Sequence, residues 1–285
     1  MSQPNFTHAF TRKVHKAPTP AISPDNPPLS AEGKTILITA GATGIGLSVA
    51  TAFAAAHASN LILLSRRESV LLAATEELKS AYPATKVYTY PCDVTDQTRV
   101  QEVFKDVKSK IGDLDIVVSS HAPFQKPYPV VSTPTSVLVE NFNSTVLGNV
   151  NLINTLLETF PPSAEKEKIF INISSVASHV QIPTMAAYAS AKASILALLQ
   201  HYHMEHAPSG LRIHSLHPGA HWTVATKEYG VPENMMQWDD RSLPGRFVLW
   251  LASDKGKFLG GRFVHANWDT EELEQRKGEF EKDPE

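Results

Sequence analysis

Thr39-Ala40-Gly41-Ala42-Thr43-Gly44-Ile45-Gly46 follows directly on the run Thr35–Thr39 (TILIT), and its reading decides the fold. Thr35–Thr39 is short, apolar and β-branched, the pattern of a strand buried on both faces. The residues over 45–57 are helical in character. A glycine cluster alone carries little information, but one that closes a strand and opens a helix is a phosphate-binding turn. In such a turn Gly41 and Gly44 let the backbone approach a pyrophosphate. Gly46 lets helix and strand pack closely. The helix start at Thr43, Gly44, Ile45 and Gly46 supplies oriented N–H groups and a partial positive charge.

Working outward, the same alternation repeats. Strands are predicted at Asn60–Leu64, Lys86–Tyr90, Ile116–Ser119, Lys168–Ile173, Leu211–Leu216 and Arg262–Ala266. Helices are predicted over 68–81, 96–110, 135–159 and 186–206. Strands separated by helices of this length imply an α/β fold: a Rossmann-type, doubly wound parallel sheet of about seven strands, forming a single domain over 34–270. Its ligand site belongs at the carboxyl ends of the strands. Residues 1–33 hold six of the 20 prolines and read as an extended Pro-rich arm or a loose tail. Residues 271–285 are charged and read as a solvated C-terminal tail.

Bulk composition narrows the function. The 285 residues carry a net charge of −3 with no basic block, so neither nucleic acid nor an anionic membrane surface is implied. No apolar run approaches the roughly 20 residues of a membrane span. One cysteine, Cys92, can build neither an intramolecular disulfide nor a thiolate metal site. No metal is expected; the His201–His206 stretch lacks the order of a zinc motif and reads as surface or subunit interface. A cytoplasmic enzyme with a small-molecule partner is the expectation.

The end of the second strand reads out the dinucleotide. An acidic residue there would accept from a ribose 2′-OH; this chain has Ser65-Arg66-Arg67. Arginine matches a 2′-phosphate, with a hydroxyl from Ser65 or Thr43 in support, so NADP(H) is expected. Asp93, ending the third strand with Val94 beside it, is open to two roles: acceptor for an adenine amino group, or helix N-cap.

Tyr188 and Lys192 are spaced i, i+4, which puts phenol and ammonium on one helix face. A nearby cation stabilises a phenolate and makes tyrosine a usable acid/base. Ser175 ends the preceding strand, 13 residues earlier.

Together these residues resemble the short-chain dehydrogenase/reductase family, over about 34–268. The match includes the glycine turn, Asp93, Ser175, Tyr188, Lys192, and Pro218-Gly219 with Thr223. Segments 8–30 and 258–269 (FLGGRFVHANWD) resemble a fungal branch. The resemblance implies that Ser175 hydrogen-bonds a substrate carbonyl and that Tyr188 donates the proton as hydride arrives from nicotinamide. It implies that Lys192 lowers the Tyr188 pKa and holds the nicotinamide ribose, and that Pro218, Gly219 and Thr223 flank carboxamide and diphosphate. It further implies a homodimer or homotetramer.

Three positions depart from the family pattern. Ala40 replaces the first glycine of the turn, harmless if its φ is negative. The fourth strand ends Ser119-Ser120-His121-Ala122 instead of Asn-Asn-Ala-Gly. Ser120 then takes over asparagine hydrogen bonds beside the cofactor. His121 is either a histidine that only shapes the pocket or an added acid/base or substrate contact. Thr145 stands where the family has the asparagine of a proton relay, and Asn143 points about 200° away on an α-helix.

The stretch 221–243 is loop-like yet rich in large apolar side chains. By resemblance it forms the substrate lid, with Trp222, Tyr229, Met235, Met236 and Trp238 as an apolar wall. The expected function is hydride transfer between NADP(H) and a fairly large apolar carbonyl or secondary alcohol, in fungal secondary metabolism. Two alternatives stand beside it: a redox-neutral isomerase or dehydratase using Tyr188, and a non-catalytic NADP(H)-sensing module.

Overall fold

Seven parallel strands form where the apolar runs predict them, in the order β3-β2-β1-β4-β5-β6-β7. They are β1 Thr35–Thr39, β2 Asn60–Ser65, β3 Lys86–Pro91, β4 Ile116–Ser119, β5 Lys168–Ile173, β6 Leu211–His217 and β7 Phe263–His265. The computed structural model describes residues 10–123, 126–223, 226–227 and 230–282. The predicted α/β, Rossmann-type doubly wound sheet is therefore the architecture observed.

Alternation along each strand divides the core in two. Ile36 and Ile38 of β1 and Leu61 and Leu63 of β2 face one side; Leu37, Ile62 and Leu64 face the other. The first side is covered by α1 (Gly44–Ala55), α2 (Glu68–Ala81) and α7 (Leu243–Ala252). The second is covered by α3 (Gln97–Lys110), α5 (Gly148–Thr159) and α6 (Ala186–His206). A strand covered on both faces must be apolar at every position, which is why β1 and β2 read as continuous runs rather than as alternation.

β1 pairs with β2 on one side and with β4 on the other. This is the point where strand order reverses, and the loops after β1 and β4 part there to leave a crevice at the carboxyl edge.

Both ends of the described chain, from residue 10 and up to residue 282, are tied to the body. Ile22 and Leu29 of the proline-rich segment are buried in the core beside α7. Val14 bridges Trp268 in antiparallel fashion, and the His15 amide donates to the Asn267 carbonyl at 2.8 Å. The expectation of a solvated tail from 271 onward is corrected. Residues Thr270–Gln275 (α8) and Lys277–Lys282 (α9) are helical, and Leu273 is fully buried. The Trp250 indole N–H donates to Glu274, and Phe280 packs against Phe10 and Phe258. Charges hid this docking in the sequence, because a single leucine and a single phenylalanine make the contact.

The predicted helix 135–159 is not one α-helix. α4 (Thr135–Phe142) runs into a π-helical turn at Asn143–Leu147 before α5 begins. The angular estimate placing Asn143 about 200° from Thr145 assumed 100° per residue and fails in a wider turn.

Ala40 also departs from expectation. Its φ is 48°, in the left-handed region, so the first glycine of the turn is missed rather than dispensable. An L-residue costs roughly 1–2 kcal/mol there, and glycine returns about 0.5–1 kcal/mol of that through unfolded-chain entropy. Ala40→Gly is expected to stabilise the fold by about 0.5–1 kcal/mol, seen as a rise of roughly 1–2 °C in Tm on thermal denaturation.

Candidate active site and dinucleotide groove

A cavity of about 1580 Å³ runs along the carboxyl edge of the sheet at the β1/β4 crevice. Of the residues singled out from sequence, Thr43, Gly44, Ile45, Gly46, Ser65, Arg66, Arg67, Asp93, Val94, Ser120, His121, Trp222 and Thr223 line it. The glycine turn builds its floor. Gly46 admits no side chain, since a Cβ there would fall 2.3 Å from the Ala40 carbonyl oxygen. Gly44 has a φ of +54° and open space where a Cβ would stand. Gly41 is a packing glycine: its Cβ would meet the Ile38 carbonyl and Leu63. The Thr43 side chain does not cap α1, so the first-turn amides keep no side-chain partner. That cradle fits a pyrophosphate.

Ser65, Arg66 and Arg67 follow from β2 at one end of the groove. Both arginines are exposed, and neither forms an ion pair among the described residues. Asp93 Oδ1 accepts from the Thr95 amide at 3.0 Å and its hydroxyl at 2.8 Å. Burial pushes the Asp93 carboxyl up, but these bonds and the Arg66 charge outweigh it and leave the pKa below the ordinary value. The helix N-cap role falls to Asp96, which accepts from the Arg99 amide at 3.0 Å.

Ser175, in the turn after β5, comes together with Tyr188 and Lys192 of α6. The Ser175 side chain lies close enough to the Tyr188 hydroxyl to favour its ionised form. Lys192 Nζ lies 5.8 Å from the Tyr188 ring centroid and donates to the Ile173 carbonyl at 2.7 Å. Burial raises the Tyr188 pKa, with the Ser175 side chain the opposing influence. Burial lowers Lys192 to about 8. The ammonium is bonded to a carbonyl, and it is Ser175 that eases phenol ionisation here.

His121 is engaged at both nitrogens. Nδ1 lies 2.9 Å from the Thr39 hydroxyl, which also accepts from the amides of Ser120 and His121. Nε2 lies 3.0 Å from the Ser144 carbonyl of the π turn. Thr39 accepts two amides and so gives its proton to Nδ1, leaving Nε2–H to donate to Ser144. Burial first, and the Lys192 charge second, hold the imidazole down at about 4.

Thr145 is fully buried, its carbonyl accepting from Asn149 Nδ2 at 2.6 Å; its hydroxyl has no partner. Asn149 went unnoticed in the sequence, as did Asp239. The Asp239 carboxylate accepts from the Ala220 amide at 2.7 Å and so folds the Pro218-Gly219 loop back on itself. Gly219 has a φ of +97° there. Pro218 and Gly219 shape this loop without lining the cavity; Thr223 lines it, its amide bonded to the Thr226 hydroxyl at 2.6 Å.

Of the expected apolar wall, Trp222 lines the cavity and donates its indole N–H to the Val231 carbonyl at 3.1 Å. Met235 is 59% exposed, and Met236 and Trp238 do not line the cavity. Tyr229 lies outside the described residues. In the His201–His206 stretch, Tyr202 stacks on His206 and His203 packs against Gly261. No helix among the described residues is long and apolar enough to cross a membrane.

The profile of the short chain dehydrogenase family matches residues 34–233. Among curated relatives, the short chain dehydrogenase/reductase nsrO of Aspergillus novofumigatus is 37% identical over 246 residues, covering 85% of this chain and 83% of its own. A short chain dehydrogenase/reductase of Claviceps purpurea is 36% identical over 243 residues, covering 85% and 80%. Among solved structures, a 7α-hydroxysteroid dehydrogenase complexed with NADH and 7-oxo glycochenodeoxycholic acid superposes with a TM-score of 0.77 at 21% identity, over 85% of this chain and 96% of that one. Pseudomonas aeruginosa RhlG, in an NADP active-site complex, gives 0.77 at 21% identity, over 84% and 97%. A glycine turn at the switch point of this sheet, a serine just after β5 with a tyrosine and a lysine on α6, and a family match across the body of the chain lead to one conclusion: the protein belongs to the short-chain dehydrogenase/reductase family, in its fungal branch.

Proposed function

We propose that the protein is an NADP(H)-dependent ketoreductase, reversibly converting a fairly large apolar ketone and its secondary alcohol. The observation that carries this reading is Ser175 placed near the Tyr188 hydroxyl, with the buried Lys192 at 5.8 Å from the Tyr188 ring centroid. The first turn of α1, Ser65, Arg66 and Asp93 would hold NADP(H), which when bound would supply the hydride. Ser175 donates to the substrate carbonyl oxygen and orients it. Tyr188, whose pKa burial raises, stays protonated at neutral pH and hands its proton to that oxygen as charge develops. Lys192, at about 8, exchanges protons readily in the neutral range and serves the replenishing path. The unpartnered Thr145 hydroxyl is the polar group through which that path leaves the sheet.

His121 holds the groove together rather than moving protons. A ring bonded at both nitrogens, tying β1 and β4 to the π turn, has none to give. Trp222 supports an apolar substrate. Exposed Val139, Phe142 and Leu147 of the α4–α5 segment, with Leu198 and Met204 of α6, support a homo-oligomer. The fungal short chain dehydrogenases among its relatives support a place in secondary metabolism.

The exposed arginines set the cofactor. A 2′-phosphate gains charge-assisted bonds from Arg66 and Arg67 that a 2′-OH cannot return. The test follows NADPH or NADH absorbance with acetophenone, α-tetralone and 2-decalone, against dihydroxyacetone as a polar control. The apolar ketones should be reduced with NADPH preferred. The double variant Arg66→Ala/Arg67→Ala should raise KM for NADPH by about 10- to 100-fold, about 1.4–2.8 kcal/mol, and leave NADH nearly unchanged. Equal losses for both cofactors would defeat the NADP assignment. Product formation without NADPH consumption would replace the ketoreductase with a redox-neutral enzyme.

A further inference from the structure

The turn that carries Ser175 is held from a neighbouring strand by a histidine. β5 and β6 pair through Ile173↔Leu216, and the Ser174 amide donates to the Leu216 carbonyl at 2.7 Å. Beyond that rung the two chains part. Val176–Ser178 forms one 3₁₀ turn with Ser175 as its N-cap. Ser175 Oγ accepts from the Ala177 amide at 3.2 Å, and the Ser175 carbonyl accepts from the Ser178 amide and hydroxyl at 3.0 and 2.7 Å. These bonds are internal to the turn and leave its orientation open.

The first N–H of such a turn has no partner within it. Here that N–H belongs to the buried Val176, and it donates to His217 Nδ1 at 3.1 Å. His217 ends β6 and is itself 8% exposed. An accepting Nδ1 requires the neutral ring with its proton on Nε2. Burial first, then His265 and His221, hold the His217 pKa down at about 3, so the ring keeps that form. His265 lies edge-to-face against it at 4.9 Å and fixes the ring plane.

We propose that His217 is a positioning residue for Ser175: its Nδ1 holds the Val176 amide, and through it the turn that presents the serine hydroxyl. The proposal rests on the reading of Ser175 as the group that binds the substrate carbonyl. An apolar side chain at 217 leaves the Val176 amide without an acceptor, and the turn shifts to find one. A displacement well under 1 Å of a group that orients the reacting carbonyl lowers kcat by roughly 10- to 100-fold. Asparagine offers an oxygen close to where Nδ1 sits and should restore the contact.

The experiment uses the full chain with NADPH and α-tetralone. Histidine 217 is changed to leucine and to asparagine, alone and, for leucine, on a Ser175→Ala background. His217→Leu should lower kcat by about 10- to 100-fold with KM for NADPH within about twofold of the original. His217→Asn should recover most of the loss. On the Ser175→Ala background His217→Leu should cost nothing more, since its effect passes through the serine. Exchange of the Val176 amide, followed by NMR, should be slow in the original protein and His217→Asn, and at least about tenfold faster in His217→Leu. Val176→Pro removes the same hydrogen bond from the donor side, with proline at a position that tolerates it. It should reproduce the kcat loss, and it carries the test if His217→Leu does not fold. An undiminished kcat in both His217→Leu and Val176→Pro, or an equal further loss on Ser175→Ala, would overturn the proposal. If the original protein consumes no NADPH with any ketone, the ketoreductase reading fails by itself, and Val176 exchange still decides whether His217 holds the turn.

Discussion

Tyr188→Phe is expected to lower kcat for ketone reduction by roughly 1000-fold, within the 10²–10⁴ range of a positioned general acid. The phenylalanine ring fills the same half-buried place, and Lys192 keeps its bond to the Ile173 carbonyl at 2.7 Å, so the fold and the cofactor groove are preserved. What disappears is the phenol proton, near Ser175. KM for NADPH should therefore stay within about threefold while kcat collapses, the pattern of an interaction made only in the transition state. Steady-state kinetics with α-tetralone, and NADPH fluorescence on binding, separate the two quantities. A variant retaining a tenth or more of the activity would move the acid to another group.

Acid is expected to unfold the protein in a window set by the buried His217 and His214 and the partly buried His121. His121 is held at about 4 and His217 at about 3, both with burial as the leading cause. In the unfolded chain each returns to about 6.5. Between about pH 6.5 and 4 the unfolded state binds the extra protons, so stability rises with pH across this window and is lost as pH falls through it. Each ring contributes roughly 3 kcal/mol of loss by pH 4, about 6 kcal/mol together. That is comparable to the whole stability of an ordinary domain, about 5–15 kcal/mol. His214, held well below its ordinary value by burial and by Arg212, acts in the same direction. Carboxylates such as Asp93 and Asp113, with lowered pKa, add their losses below about pH 4, outside this window. Urea midpoints at pH 7, 5.5 and 4.5 should fall steeply, and His217→Asn should flatten the slope by one proton. A midpoint independent of pH over this range would mean the rings are solvated.

These two expectations draw on different sources. Tyr188 and Lys192 are legible in the chain as a phenol and an ammonium at helical spacing, and Ser175 through the family resemblance. The acid response was not legible, since a histidine in a sequence has no burial. His121 shows the difference most plainly. As a residue beside the fourth strand it was open to two readings. Its bonds to Thr39 and Ser144, from segments 82 residues before it and 23 after, leave it holding the crevice together. Ala40 was misjudged for a related reason: φ at one residue of a turn is set by where the next helix must pack, here with Gly46 pressed against the Ala40 carbonyl.

The sequence by itself determined the sheet, the crevice and the chemical set at Tyr188. Burial on both faces demands unbroken apolar runs, and a phosphate-binding turn demands glycine between strand and helix; both are local requirements written residue by residue. Only the tertiary structure decided how that set is held. The π turn at Asn143–Leu147, the docking of the C-terminal helices and the bond from Val176 to His217 join segments distant in the chain. Each depends on packing between elements, which no short stretch of sequence encodes.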